Sequence, residues 1–257
     1  MRPLPLMAKI ACAGFLLSLA IGLVASFGTR AGAWDYQFGL LTLFPWCVYI
    51  GIASFLVGLG WIASALVSNN GQGTRYGLAG LIGSAAVLIV PLTDFYMWKT
   101  SPPIHDISTD IEHPPQFDAL LALREGAANG PDYDGAAKVA MPDGKSYTTS
   151  YLQRKYYGDI HTIAILTPPE KLFSRAQEAA RDMGWTIVAL APDEGRIEAT
   201  DTTFFFGFTD DIVIRVKPSG MGARLDIRSK SRVGTSDIGR NAQRIRDFEK
   251  ALAAASG

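Results

Sequence analysis

Arg224-Leu225-Asp226-Ile227-Arg228-Ser229-Lys230-Ser231-Arg232-Val233-Gly234-Thr235-Ser236-Asp237-Ile238-Gly239 is the stretch whose reading decides the fold. Leu225 and Ile227 alternate with Arg224, Asp226, Arg228, Lys230 and Arg232. That period of two describes a strand with one apolar and one charged face. Ser236 or Asp237 then offers a side-chain cap. Ile238, Ala242, Ile245, Phe248 and Leu252 follow at helical spacing. The apolar side of the strand and the apolar stripe of the helix must be buried together.

Working upstream, Pro218-Ser219-Gly220-Met221-Gly222 is a turn, and Ile212, Ile214 and Val216 alternate with Arg215 and Lys217 in a preceding strand. Arg196 to Phe206 and Trp185 to Ala191 read as two further strands, separated by the Pro192-Asp193-Glu194-Gly195 turn. Thr167-Pro168-Pro169-Glu170 reads as a helix start, with Thr167 as cap and Glu170 at the capping-box position. Leu172, Phe173, Ala176, Ala179, Ala180 and Met183 form its apolar face, and Gly184 ends it. Ile160 to Leu166 is the first strand. The order is β-α-β-β-β-β-α. The fold class expected is α+β: three N-terminal transmembrane helices, then an antiparallel sheet with two helices packed on one face.

The chain has 257 residues and zero formal net charge, but its halves differ. Residues 1–98 hold only Arg2, Lys9, Arg30 and Arg75 as bases and Asp35 and Asp94 as acids. Three apolar runs, about Ile10 to Phe27, Phe38 to Val67 and Tyr76 to Trp98, each reach the ~20 residues that cross a bilayer as a helix. Residues 1–99 are therefore expected as a membrane domain, 100–159 as an extended Pro/Gly-rich connection, and 160–257 as the α+β domain. Arg2, Lys9 and Arg75 lie on one side of the spans, Arg30 and Lys99 on the other. This bias favours an inner (plasma) membrane protein with its N-terminus cytoplasmic and its C-terminal domain periplasmic. Ala31-Gly32-Ala33 offers an alternative, a cleaved signal, which leaves the C-terminal domain on the same side. Gly51, Ser54, Gly58, Gly77, Gly80 and Ser84 at three- and four-residue spacing suit a compact three-helix anchor, or a homo-oligomer through these small-residue faces.

Arg215, Lys217, Arg224, Arg228, Lys230 and Arg232 share the outer sheet face by parity and are the candidate anion-binding residues. The alternative for this face is pairing with acidic neighbours inside the molecule. Ser229 and Ser231 sit where the strand yields to the helix N-terminus, where free N–H groups suit an anion. Phe205 and Phe206, within Phe204-Phe205-Phe206-Gly207-Phe208, break the alternation and offer an apolar tip for a membrane or a partner. His105, Asp106, Asp110 and His113 have a spacing that matches no zinc pattern, so turn or capping roles are expected. Neither a cofactor nor a nucleic-acid partner is expected. No nucleophile elbow, phosphate loop or Cys–His pairing is present.

Gly195 to Thr200, Asp211 to Val216 and Arg224 to Ile245 resemble the uncharacterised family catalogued as domain of unknown function 1499, and Pro102 to Ile107 resembles its beginning. The resemblance covers roughly residues 101–253. It implies a domain of the cell envelope or an organelle lumen, with no agreed activity. The element order also resembles the helix-grip modules of a lipoprotein in the outer-membrane barrel assembly machinery, at the level of fold alone. The function expected is a binding or scaffolding module that contacts the lipid bilayer and anionic lipid, an anionic polymer or another envelope protein through its basic hairpin. The alternative is a hydrolase or transferase acting on an envelope lipid or glycan through Ser229, Ser231 and Asp237.

Overall fold

Leu225 and Ile227 are fully buried against both predicted helices. The computed structural model describes residues 4–254. It divides into two units: one runs to Tyr96 and also takes in Thr203–Gly207, and the other comprises Met97–Thr202 and the chain from Phe208 onward.

In the first unit, helices α1 (Leu4–Arg30), α2 (Phe44–Val67) and α3 (Thr74–Thr100) match the three apolar runs, and a π-helical turn, Gln37–Leu43, leads into α2. All three are long and apolar enough to cross a membrane. Small residues let them close up. A Cβ on Gly80 would collide with the backbone of Ala11, and one on Gly77 would enter the Trp61 ring. Buried serines tie the helices together. Ser54 Oγ donates to the Ala11 carbonyl at 2.6 Å, Ser84 Oγ to Ser54 Oγ at 2.7 Å, and Ser18 Oγ to the Cys47 carbonyl at 2.7 Å. Gly51, Ser54, Gly58, Gly77, Gly80 and Ser84 are thus spent on packing within one chain.

The second unit is an antiparallel sheet. Its strands are β1 (Asp106–Ser108), β4 (Ile163–Ile165), β5 (Thr186–Ala191), β6 (Arg196–Thr202), β7 (Thr209–Ser219) and β8 (Gly222–Ser231), in the order β1-β8-β7-β6-β5, with β4 also on β8. A separate hairpin, β2 (Lys138–Ala140) and β3 (Ser146–Thr148), precedes α4 (Thr149–Tyr156). Helices α5 (Pro169–Asp182) and α6 (Arg240–Ala254) pack on one face. Their apolar stripes meet Ile197, Ala199, Ile212, Ile214, Leu225 and Ile227 in a single core. The predicted strand-helix-four strands-helix order is the one observed.

Two local readings are corrected. Pro168, not Thr167, is the N-cap of α5: its carbonyl accepts the first helical bond, from the Leu172 N–H at 3.0 Å, and no side chain caps the helix. Residues 115–124 form turns and a short 3-10 segment at Ala122–Arg124. The stretch 100–159 is more than a connection: it supplies β1, and Ile104, Ile107 and Leu152 enter the main core.

The sheet face opposite the helices is covered as well. Phe117 and Leu120 pack on Val213, and Glu198 anchors the covering segment. The Glu198 carboxylate accepts the backbone N–H groups of Asp118, Ala119 and Leu120 at 2.9–3.2 Å. These consecutive amides form a small anion nest, here filled by a side chain of the sheet.

Candidate functional site

The basic stripe begins as parity predicts, with Lys217, Arg224, Arg228 and Lys230 all on the face away from the helices. It does not remain a stripe. Arg228 and Lys230 are 0 % exposed. A buried charge is costly unless it is paired and hydrogen-bonded, and both are. Arg228 holds Asp106 bidentately, Nε to Oδ1 and Nη2 to Oδ2 at 2.9 Å each. Its guanidinium also donates to the Pro131 carbonyl and lies over the Phe117 ring, 4.7 Å from the centroid. Lys230 Nζ donates to the Asp132 carbonyl at 2.6 Å and to Asp134 Oδ2 at 2.7 Å. Asp134 also faces His105 Nε2 at 3.1 Å. Burial pushes the Asp134 carboxyl up, but hydrogen bonds from His105 and Lys230 outweigh it and hold the group at about 2.

A second buried centre is Asp211. Arg232 grips it with Nε and Nη2 at 2.8 Å each, and Arg124 Nη1 meets it from the covering segment. Arg215 pairs with Asp226 at 2.7 Å and Asp110 at 3.0 Å. Arg196 joins Glu198, Glu194 and Asp118. Of the six candidate bases, Arg215, Arg228, Lys230 and Arg232 are therefore engaged by carboxylates of the same chain. The expected open basic face is corrected to an internal ion-pair layer beneath residues 110–135. Sequence reading missed Arg124, Asp134 and Asp211. Asp211 was within reach, since it lies two residues from Val213 and four from Arg215, on the same strand face. Arg124 ends a three-residue 3-10 turn and Asp134 sits in irregular chain, neither with enough periodicity to locate a side chain.

Ser229 and Ser231 are also turned inward. Ser229 Oγ donates to Asn241 Oδ1 at 2.6 Å, and Asn241 Nδ2 donates to Ser231 Oγ at 3.0 Å. Asp237 caps α6, accepting the Gly239 N–H on Oδ1 at 2.8 Å and the Asn241 N–H on Oδ2 at 2.9 Å. Burial pushes its carboxyl up to about 6, against the pull of those backbone bonds. Arg244, on the same helix, is buried against Asp210 at 2.6 Å and Asp201. The groups named for hydrolytic or transfer chemistry thus serve strand-to-helix packing and capping. The residues of the His105–His113 cluster likewise turn to different partners: Asp106 to Arg228, Asp110 to Arg215, and the His113 N–H to Asp110 Oδ1.

This unit presents an exposed hairpin end and an open cleft. At the end of the β7–β8 hairpin, Lys217 stands directly opposite Arg224 across the strands. The carboxylate nearest Arg224 is Asp226, 3.8 Å from Nε and already bound by Arg215. Met221 in the turn beyond is 95 % exposed. The second surface is a cleft of about 450 Å³ beside β4, lined by His161, Ile163, Ile165, Arg175, Glu249 and Leu252. Arg175 Nη2 donates to the Leu252 carbonyl at 3.3 Å, whereas its Nε is buried without a partner. Burial pushes the Glu249 carboxyl up, and His161 pulls it down. The cleft carries both charge signs; the hairpin end carries one.

Phe205 and Phe206 belong to the other unit, packed with its helices. Phe205 lies 6.1 Å from Phe27 between ring centroids, and Phe206 lies 5.6 Å from Phe44.

Fold and site together define a chain of three long apolar helices carrying an antiparallel α+β domain whose charged sheet face is neutralised internally. The chain belongs to the family described as protein of unknown function (DUF1499), whose model matches residues 106–252. No curated protein matches it. Among solved structures, the crystal structure of TTHA0849 from Thermus thermophilus is similar over 37 % of this chain and 97 % of that one, with 14 % identity and a TM-score of 0.23.

Proposed function

We propose that the protein is a membrane-anchored binding or scaffolding module of the cell envelope, set in the inner membrane with its N-terminus cytoplasmic and its sheet domain periplasmic. Its contact surface is the open end of the β7–β8 hairpin, and its ligand is an anionic envelope component. One observation carries this reading: Lys217 and Arg224 are a like-charge pair directly across two strands, and the carboxylate that Arg224 meets, Asp226 at 3.8 Å, is already bound by Arg215. Such a pair disfavours the hairpin by roughly 0.2–1 kcal/mol. An anion placed between the two side chains reverses the sign. The contrast with Arg228, Lys230 and Arg232, each held by a carboxylate at 2.7–2.9 Å, supports a binding role for the two that are not held in this way.

The test uses the full chain in zwitterionic nanodiscs, mixed with vesicles containing phosphatidylglycerol and separated by flotation. Binding is expected to fall with salt and to be lost in Lys217→Gln/Arg224→Gln. Equal binding by the variant, with unchanged salt dependence, sinks the proposal. Substitution at Arg228 or Lys230 would report on folding instead, since both are buried.

A further inference from the structure

The loop Thr203–Gly207 joins β6 to β7, yet it groups with the apolar helices. Its attachment is specific. Arg30, the last residue of α1, donates from Nη1 to the Thr203 carbonyl at 2.7 Å and to the Phe204 carbonyl at 2.9 Å. Gly207 has φ +70°, and a Cβ there would stand 3.1 Å from Arg30 Cγ, so the backbone lies directly on that side chain. Phe204 meets Phe27 edge-on at 5.7 Å and Phe205 at 5.3 Å. Although held in this way, Phe204 is 69 % exposed and Phe205 48 %. Phe27 and Phe38 beside them are exposed too, and Phe38 stacks edge-on with Trp34 at 5.9 Å.

Loop and helix together form an exposed aromatic patch. Water is a poor solvent for it, and the loop contains no charged residue. The depth follows from α1. Phe27 lies three residues before Arg30, about 4.5 Å along the helix axis. Arginine at the end of a span marks the headgroup layer, and rings within one turn of it lie at the boundary between headgroups and acyl chains. Given that the three apolar helices span a bilayer, on which this inference rests, we infer that Phe204 and Phe205 form a lipid-contact site: the β6–β7 loop enters the interface beside α1 and packs its two rings against phospholipid acyl chains. Arg30 fixes the loop there by occupying its carbonyls, which lipid cannot satisfy.

Nitroxide labels test this in the full chain, reconstituted in phospholipid nanodiscs with Cys12 and Cys47 replaced by alanine. Labels are placed singly by Phe204→Cys, Phe205→Cys, Leu56→Cys on the exposed side of α2, and Glu178→Cys on the exposed side of α5. The ratio of collision with oxygen to collision with an aqueous nickel chelate is expected to be severalfold higher at 204 and 205 than at 178, and highest at 56. A high ratio at 56 with ratios at 204 and 205 equal to that at 178 overturns the inference while leaving the spans intact. A low ratio at 56 overturns both. Benzoylphenylalanine at 204 in the chain with native cysteines is the second readout: crosslinking to lipid supports the site, and crosslinking only to protein overturns it.

Discussion

Arg228 and Asp106 form a two-pronged ion pair with both side chains at zero exposure, linking the eighth strand to the first across 122 positions of sequence. The pair connects the segment after the third apolar helix to the centre of the sheet. Removing one member leaves the other charged, buried and unpaired. Asp106→Ala is expected to destabilise the sheet domain by about 3–5 kcal/mol, read as a large fall in its melting temperature for the full chain in detergent. Asp106→Leu/Arg228→Met should recover much of the loss. A single variant that melts like the parent contradicts the pairing.

Glu198 predicts the behaviour of the covering segment. It binds three consecutive amides of residues 118–120 and is the only carboxylate to do so among the described residues. Glu198→Ala is expected to release this segment, so that limited proteolysis cuts within 110–135 while the strands stay protected. Cleavage no faster than in the parent contradicts the anchoring role.

Asp237 gives a pH dependence with a definite sign. Its folded-state value, about 6, lies above the ordinary 3.8. The folded protein therefore binds this proton more tightly than the unfolded chain, and the group's contribution is fully present below about pH 4 and lost as pH rises to about 6. The loss is about 3 kcal/mol at neutral pH. Asparagine carries no charge and keeps one of the two cap acceptors; losing the other, because Nδ2 cannot accept an N–H, lowers stability by an amount that does not vary with pH. Asp237→Asn should therefore gain stability over the parent progressively between about pH 4 and about pH 6. Melting temperatures of both proteins across that range check it; a constant difference contradicts it.

Lys217 predicts an exchange of binding for stability. Lys217→Glu converts the pair with Arg224 into an opposite-charge cross-strand pair, worth roughly 0.2–1 kcal/mol. The variant should melt slightly higher than the parent and lose anion binding. A lower melting temperature, or retained binding, counts against the assigned geometry.

The sequence by itself determined the main elements of residues 1–99 and 160–257 and their order, but not the short strands within 100–159. Apolar runs of bilayer length give the three helices, period-two alternation gives Arg196, Ile212–Val216 and Leu225–Ile227 their strands, and the 3.6-residue stripe from Leu172 to Ala180 gives its helix. These signals are local and periodic, so neighbours in sequence carry them. Parity also told which side of the last two strands is charged. What parity could not tell is what lies over that side. The same Arg228 and Lys230 are compatible with solvent, a polyanion or an internal carboxylate, and their partners Asp106 and Asp134 lie in short or irregular segments about a hundred residues away. Only the tertiary structure decided that the stretch from Arg224 to Arg232 is mainly an ion-paired interior, leaving Lys217 and Arg224 at its open end. The physical reason is that charge pairing depends on distance in space, whereas sequence periodicity reports only which face a residue is on.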